Sequence, residues 1–225
     1  CTKKLRAIQV EPISGIIEAE AGVMLPTLSN LLAKNGLKGG EWTVGIPGTI
    51  GGAICMNAGS GKLSLANNLL SVKVIDTKTL EIDEIQKKDI TFKYRFSPFQ
   101  YNNLLIISSK LRFEPKGDIK QLLETTKKIL KIKTESQPYH LPSFGSVFKN
   151  PANNYAGKLI DELGLKGLKI GGAEISKMHA NFIVNNSSAS SKDILELITL
   201  IQQKVLQKKS IFLKPEVRLV GFDYP

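Results

Sequence analysis

The sequence predicts an α+β fold in two parts, and three observations predict it. Alternating apolar and polar residues at 70–76 and again at 79–85 read as a β-hairpin turning at Asp76-Thr77-Lys78. Ile119, Leu122, Leu123, Thr126, Ile129 and Leu130 keep helical spacing behind Asp118, a good N-cap. Ser190, with Asp193 three residues on, opens a second long helix with Ile194, Leu197, Ile198, Ile201 and Val205 facing inward.

The other elements follow in order. Residues 13–21 read as a strand entering a turn at Gly22. Pro26 sits where a first helical turn tolerates proline, Leu28, Leu31 and Leu32 form the apolar stripe, and Gly36 is the stop. A glycine-dense stretch at 39–61 has almost no periodicity, which predicts a long irregular loop of the functional kind. After the hairpin comes a strand at 104–113. Pro115-Lys116-Gly117 marks a boundary, giving domains at 1–115 and 116–225. In the second part a short helix at 155–163 ends at Gly164. A strand is expected at 179–184, and another at 212–220 closes the chain.

Composition narrows the function classes. The chain has 225 residues, with 31 Lys+Arg against 20 Asp+Glu for a net charge of +11. Its 42% hydrophobic and 23% charged content is that of a globular protein, not a disordered or fibrous one. The longest aliphatic run, at 104–107, falls far short of the roughly 18 residues a membrane span needs. Cys1 and Cys55 make no disulfide framework, and with only His140 and His179 no cluster has metal-ligand spacing, so no metal site is expected. The apolar length after Lys3, Lys4 and Arg6 is too short for a signal peptide, so a cytoplasmic setting is expected. Lysines are scattered in pairs, as on solvated helix faces. The charge also suits a phosphate-bearing small molecule or nucleic acid, without choosing between them.

Four places could carry chemistry. Gly45-Ile46-Pro47-Gly48-Thr49-Ile50-Gly51-Gly52-Ala53 is neither a Walker A loop nor G-x-G-x-x-G. It would let backbone amides approach a flat ring or a phosphate, or it is a tight turn packed on a strand. Ser146 does not lie in G-x-S-x-G, which disfavours a hydrolase elbow. It could donate a proton to a strongly basic carbanion, or simply cap a turn. Glu216 shares one face of Lys214-Pro215-Glu216-Val217-Arg218 with its charged neighbours. Arg95, flanked by aromatics in Tyr94-Arg95-Phe96-Ser97, could hold a carboxylate in its planar fork, or be a surface loop arginine.

In combination, residues 45–53 followed by Met56-Asn57-Ala58-Gly59, Tyr94-Arg95-x-Ser97, Ser143-x-Gly145-Ser146-Val147-Phe148-Lys149-Asn150-Pro151 and 214–218 resemble the UDP-N-acetylenolpyruvoylglucosamine reductase family. Ala156-Gly157-Lys158 with Asp161, Gly164-Leu165-Lys166-Gly167 and His179-Ala180-Asn181 are also similar to that family. The resemblance runs in order along essentially the whole chain. It implies the second half of a two-part FAD-binding domain followed by a smaller α+β substrate domain. The activity implied is reduction of UDP-N-acetylglucosamine enolpyruvate to UDP-N-acetylmuramate for peptidoglycan synthesis, with FAD as cofactor and NADPH as reductant. Flavin N5 would pass the hydride.

The resemblance also implies residue roles. Ser146 would be the proton donor, and Arg95 and Glu216 would stabilise the enolate-like intermediate. Gly45, Ile46, Pro47, Gly48, Thr49, Gly51, Gly52, Ala53, Asn57, Ala58, Gly59 and Arg218 would contact the flavin. Tyr94, Lys149 and Asn150 would contact the substrate. The family's Leu-Gly-x-Gly-Ser-Asn loop for the FAD pyrophosphate does not precede residue 13, and the chain begins with Cys1, so a shortened N-terminus is expected. The expected form is a monomer without nucleic-acid or membrane partners. The competing expectations are a basic nucleic-acid-binding module and a folded fragment that no longer holds FAD.

Overall fold

The computed structural model describes residues 2–221. The chain divides into two compact units, Cys1–Ile132 and Lys133–Pro225.

The first unit is built on a five-stranded antiparallel sheet. Its strands are β1 (Ile8–Glu11), β2 (Ile16–Glu20), β5 (Leu69–Asp76), β6 (Ile82–Gln86) and β7 (Leu104–Arg112), in the order β1-β2-β7-β5-β6. Helices α1 (Leu25–Lys34) and α2 (Ile50–Met56) bury their apolar stripes against one face of it. A two-stranded ribbon, β3 (Gly59–Ser60) with β4 (Leu63–Ser64), follows α2. Ile17 and Ala19 of β2, Val72 and Val74 of β5 and Leu111 of β7 form the core with Leu28 and Leu32 of α1 and Ile54 of α2. The expected hairpin is β5–β6, and Asp76 Oδ1 accepts from the N–H groups of Lys78 and Thr79 at 2.7 and 3.2 Å, closing its turn.

Two expectations for this unit need correction. Ile13 is 95% exposed and lies in a turn, so the strand starts only at Ile16, and the short β1 before it was not foreseen. The 39–61 stretch is not one irregular loop. It holds a 3-10 turn, Glu41–Gly45, and the helix α2. The glycines hide the apolar period of α2, but they are what lets it sit there. A Cβ on Gly51 would lie 2.7 Å from the Cβ of Ala21.

Helix α3 (Ile119–Ser136) starts on the expected cap, Asp118 Oδ1 accepting from Gln121 N–H at 2.8 Å. The division between units falls within α3, after Ile132, whereas the sequence marks Pro115-Lys116-Gly117. The start of the helix stays with the first unit because Gly117 N–H donates to the Gly36 carbonyl at 2.7 Å.

The second unit carries a four-stranded antiparallel sheet, ordered β8-β11-β10-β9. Its strands are β8 (Ser143–Ser146), β9 (Lys169–Ile170), β10 (Ala173–Ile175) and β11 (Phe182–Asn185). Helices α4 (Ala156–Glu162) and α5 (Ser191–Lys209) supply Leu159, Ile160, Leu197, Ile201 and Val205 to its core. The Ser190–Asp193 capping box forms as expected. Residues 179–181 are a turn rather than strand, with Phe182 N–H donating back to the His179 carbonyl at 3.0 Å. Residues 212–220 do not form a strand. They make one isolated bridge, Phe148 to Pro215, where proline has no N–H to extend a ladder.

Candidate functional site

Within the first unit, the glycine stretch at 45–53 runs from the 3-10 turn Glu41–Gly45 into the first turn of α2. Thr49 caps α2, its hydroxyl accepting from Gly52 N–H at 3.3 Å. Ile50 and Gly51 N–H donate to the carbonyls of Val23 and Ala21, each at 2.9 Å, and Ala53 N–H donates to Thr49 at 2.8 Å. The amides of 50–53 are therefore spent inside the protein. What the loop leaves open is space. A Cβ on Gly48 would meet nothing within 4 Å, and one on Gly52 only the Thr49 hydroxyl at 3.5 Å.

The loop ends at Asn57, in a left-handed conformation (φ 44°) as the C-cap of α2. Its Nδ2 donates to the Lys93 carbonyl at 2.9 Å, while its buried Oδ1 has no hydrogen-bond partner among the described residues. Ser97 Oγ and Gln100 Nε2 both donate to the Cys55 carbonyl, at 2.7 and 2.9 Å, tying the last turn of α2 to the segment at 93–100. Arg95, at φ 53°, extends one guanidinium nitrogen to the Gly59 carbonyl at 3.4 Å and stacks over the Tyr94 ring at 5.0 Å. Arg95 and Tyr94 thus lie beside the Asn57–Gly59 segment. Pro47 is exposed, and Gly45, Ile46, Ala53 and Ala58 are at least half-buried.

Within the second unit, the segment from Ser146 to Asn150 runs between two others. On one side Val147 N–H donates to the Asn181 carbonyl at 2.8 Å. The buried Asn181 side chain also closes a two-way pair with Phe148, accepting from its N–H at 3.0 Å and donating to its carbonyl at 2.9 Å. On the other side Glu216 N–H donates to the Val147 carbonyl at 2.8 Å, and Lys149 N–H to the Lys214 carbonyl at 2.9 Å. Glu216 is half-buried, Arg218 exposed and Lys149 half-buried. Asn150 caps α4, its Oδ1 accepting from Ala156 N–H at 3.0 Å.

Ser146 is exposed and lines a cleft of about 670 Å³ together with Asn150, Tyr155, Lys158, Lys166 and His179. Lys166 pairs with Asp161 at 2.8 Å, and Lys209 with Glu162 at 2.6 Å, an ion pair that holds the Glu162 carboxyl below the usual range. His179 Nδ1 accepts from Asn181 N–H at 3.2 Å, so the neutral ring carries its proton on Nε2. Burial and then the nearby Lys166 charge push its pKa down.

Comparison with known proteins decides what this arrangement belongs to. A sequence model of the UDP-N-acetylenolpyruvoylglucosamine reductase C-terminal domain matches residues 137–220, and one of an FAD-binding domain matches residues 2–81. A UDP-N-acetylenolpyruvoylglucosamine reductase from Prochlorococcus marinus subsp. pastoris is 80% identical over 225 residues, covering 100% of this chain and 76% of that protein. The chain belongs to the UDP-N-acetylenolpyruvoylglucosamine reductase family. Another Prochlorococcus marinus relative of the same name is 47% identical over 99% of this chain and 73% of its own length. A crystal structure of the Thermus caldophilus reductase superposes with a TM-score of 0.78 at 33% identity, covering 93% of this chain and 74% of that one. The chain thus spans about three quarters of the length of these relatives.

The first unit's residues fit the FAD of this family. The open space at Gly48 and Gly52 would give a flat ring room to approach the main chain. The buried Asn57 Oδ1, without a hydrogen-bond partner among the described residues, would suit a ring N–H, since such an orphan is costly unless a partner arrives. Sequence reasoning did not single out Gln100, Asn181 or His179 for a role. Asn181 and His179 lay in a segment quoted only as similar to the family, and nothing in the spacing links Gln100 to Cys55, 45 residues away.

Proposed function

We propose that this chain reduces the enolpyruvyl group of UDP-N-acetylglucosamine enolpyruvate to the lactyl ether of UDP-N-acetylmuramate, with NADPH as the reductant. When bound, FAD reduced by NADPH supplies the hydride, which adds to the terminal carbon of the enolpyruvyl double bond. Addition there leaves an enolate conjugated to the substrate carboxylate. Ser146 Oγ–H gives its proton to the α carbon, completing the net addition of two hydrogens, and regains a proton from solvent. An alcohol can act as this acid because an enolate carbon is a far stronger base than water.

Arg95 supplies paired N–H donors to the carboxylate on which charge accumulates. Glu216 assists in stabilising the enolate-like intermediate. Lys158 and Lys166 offer cations to the substrate diphosphate within the cleft that Ser146 lines. Gly48, Gly52 and Asn57 would hold the flavin, the glycines by leaving room at the main chain and Asn57 Oδ1 by offering an acceptor. The observation that carries the roles of Ser146 and Glu216 is that Glu216 N–H donates to the carbonyl of Val147, the residue after Ser146, which itself lines the cleft. A monomer in the cytoplasm is part of the same reading. Among the described residues no helix is long and apolar enough to cross a membrane.

The test uses the FAD-loaded chain without oxygen. NADPH should bleach the flavin absorbance, and the enolpyruvyl UDP-sugar should restore it with formation of UDP-N-acetylmuramate. Bleaching without restoration would remove the substrate assignment. Failure to take up FAD would remove the flavin chemistry.

A further inference from the structure

Arg95 occupies an expensive conformation. Lys93 and Phe96 exchange both main-chain hydrogen bonds at 3.1 Å, which makes Tyr94 and Arg95 the central pair of a tight turn. Arg95 takes φ 53° there, a left-handed setting that turns ordinarily give to glycine. A side chain is kept in such a place only when its surroundings over-determine it. Most of the bonds around this turn hold its neighbours: Asn57 Nδ2 reaches the Lys93 carbonyl, and Ser97 Oγ the Cys55 carbonyl. Gln100 does something different. Its single amide nitrogen donates to the Arg95 carbonyl at 3.2 Å and to the Cys55 carbonyl at 2.9 Å. It therefore pins the peptide of Arg95 itself to the last turn of α2, the helix that the flavin loop leads into.

We propose that Gln100 is a positioning residue that locks Arg95 in its left-handed conformation and so aims the guanidinium at the substrate carboxylate. Its role presupposes that Arg95 acts on the enolpyruvyl substrate as read above. Without the Gln100 amide, the Arg95 peptide is free to relax toward negative φ. The guanidinium then swings off the Gly59 carbonyl against which it rests. Ser97 still holds the Cys55 carbonyl, so α2 and the flavin loop keep their anchor.

The experiment separates the two half-reactions by rapid mixing of the FAD-loaded protein, for Gln100→Ala, Gln100→Glu, Arg95→Ala and the double variant Arg95→Ala with Gln100→Ala. Reduction by NADPH should be unchanged in Gln100→Ala, while reoxidation by the enolpyruvyl substrate should slow about tenfold or more, the scale of a misplaced catalytic group. Gln100→Glu keeps the size but cannot donate when ionised, and should be equally slow. It takes the place of Gln100→Ala if that variant fails to fold. Arg95→Ala should be slower still, with no further loss in the double variant. FAD affinity, read by quenching of flavin fluorescence in a titration, should stay unchanged.

Normal reoxidation in Gln100→Ala beside slow Arg95→Ala overturns the role of Gln100 and leaves that of Arg95. Normal reoxidation in Arg95→Ala overturns both. Multiplying losses in the double variant, or weakened FAD binding in Gln100→Ala, would mean that Gln100 acts through something other than Arg95 and would also overturn it.

Discussion

Glu216 donates its main-chain N–H to the Val147 carbonyl at 2.8 Å, immediately after Ser146 in the chain. The closing segment of the second unit is thereby registered against the segment that carries the proposed proton donor. The same Val147 donates its own N–H to the Asn181 carbonyl at 2.8 Å, so Ser146 is presented by a stretch of chain held from both sides. Pre-set geometry of this kind lets a weak acid deliver a proton to one carbon rather than to water.

Replacing Ser146 with Ala should leave reduction of the flavin by NADPH intact and slow reoxidation by the enolpyruvyl substrate about 10²- to 10⁴-fold, the usual worth of a positioned acid. Flavin absorbance after anaerobic mixing reads both steps. Full-speed reoxidation would take Ser146 out of the reaction.

The two glycines at the flavin loop should respond oppositely to an added methyl. Gly51→Ala forces a Cβ to 2.7 Å from that of Ala21 and should destabilise the FAD-free protein by about 1–3 kcal/mol. Gly48→Ala meets no protein atom within 4 Å, so its cofactor-free stability should be unchanged. Its FAD affinity should fall if the ring is held as proposed, because the methyl would occupy the room proposed for the ring. Chemical denaturation and FAD titration distinguish the two. Unchanged FAD binding in Gly48→Ala would move the flavin elsewhere.

Asn181 is the buried link between the Ser146 segment and β11. Truncation to Ala strips the Phe148 N–H and carbonyl of their partner side chain in a water-free setting. The expected loss is about 2–6 kcal/mol, from two stranded backbone groups at roughly 1–3 kcal/mol each. Urea denaturation followed by circular dichroism measures it. A loss below about 0.5 kcal/mol, the scale of an ordinary surface change, would mean that the segment does not depend on Asn181.

His179 gives stability a pH dependence. Burial lowers its pKa in the folded chain, so the unfolded chain, with a histidine near the ordinary value of about 6.5, binds the extra proton first. The contribution is complete above that value and is lost as pH falls through the lower folded one. Thermal unfolding midpoints should therefore drop on acidification below about pH 6.5, and His179→Gln should flatten that part of the profile while His140 remains. An unchanged profile in His179→Gln would assign the dependence to other groups.

Much of the fold could be read locally. The hairpin turn at Asp76, the Asp118 cap and the Ser190–Asp193 capping box are interactions between residues three or fewer apart, so their spacing is written into the string. The family resemblance, read from motifs in order along the chain, agrees with the relatives that show the family. Tertiary structure alone decided the rest. Within residues 39–61, Ile50–Met56 became a helix because Gly51 could close on Ala21, a contact that no periodicity announces. The strand expected at 212–220 was reduced to a single bridge at Pro215. Asn181 finds Phe148 across 33 residues, and Gln100 finds Cys55 across 45. Spacing along a chain encodes bonds within a turn or two, whereas these partners are chosen by which surfaces meet once the sheets have formed.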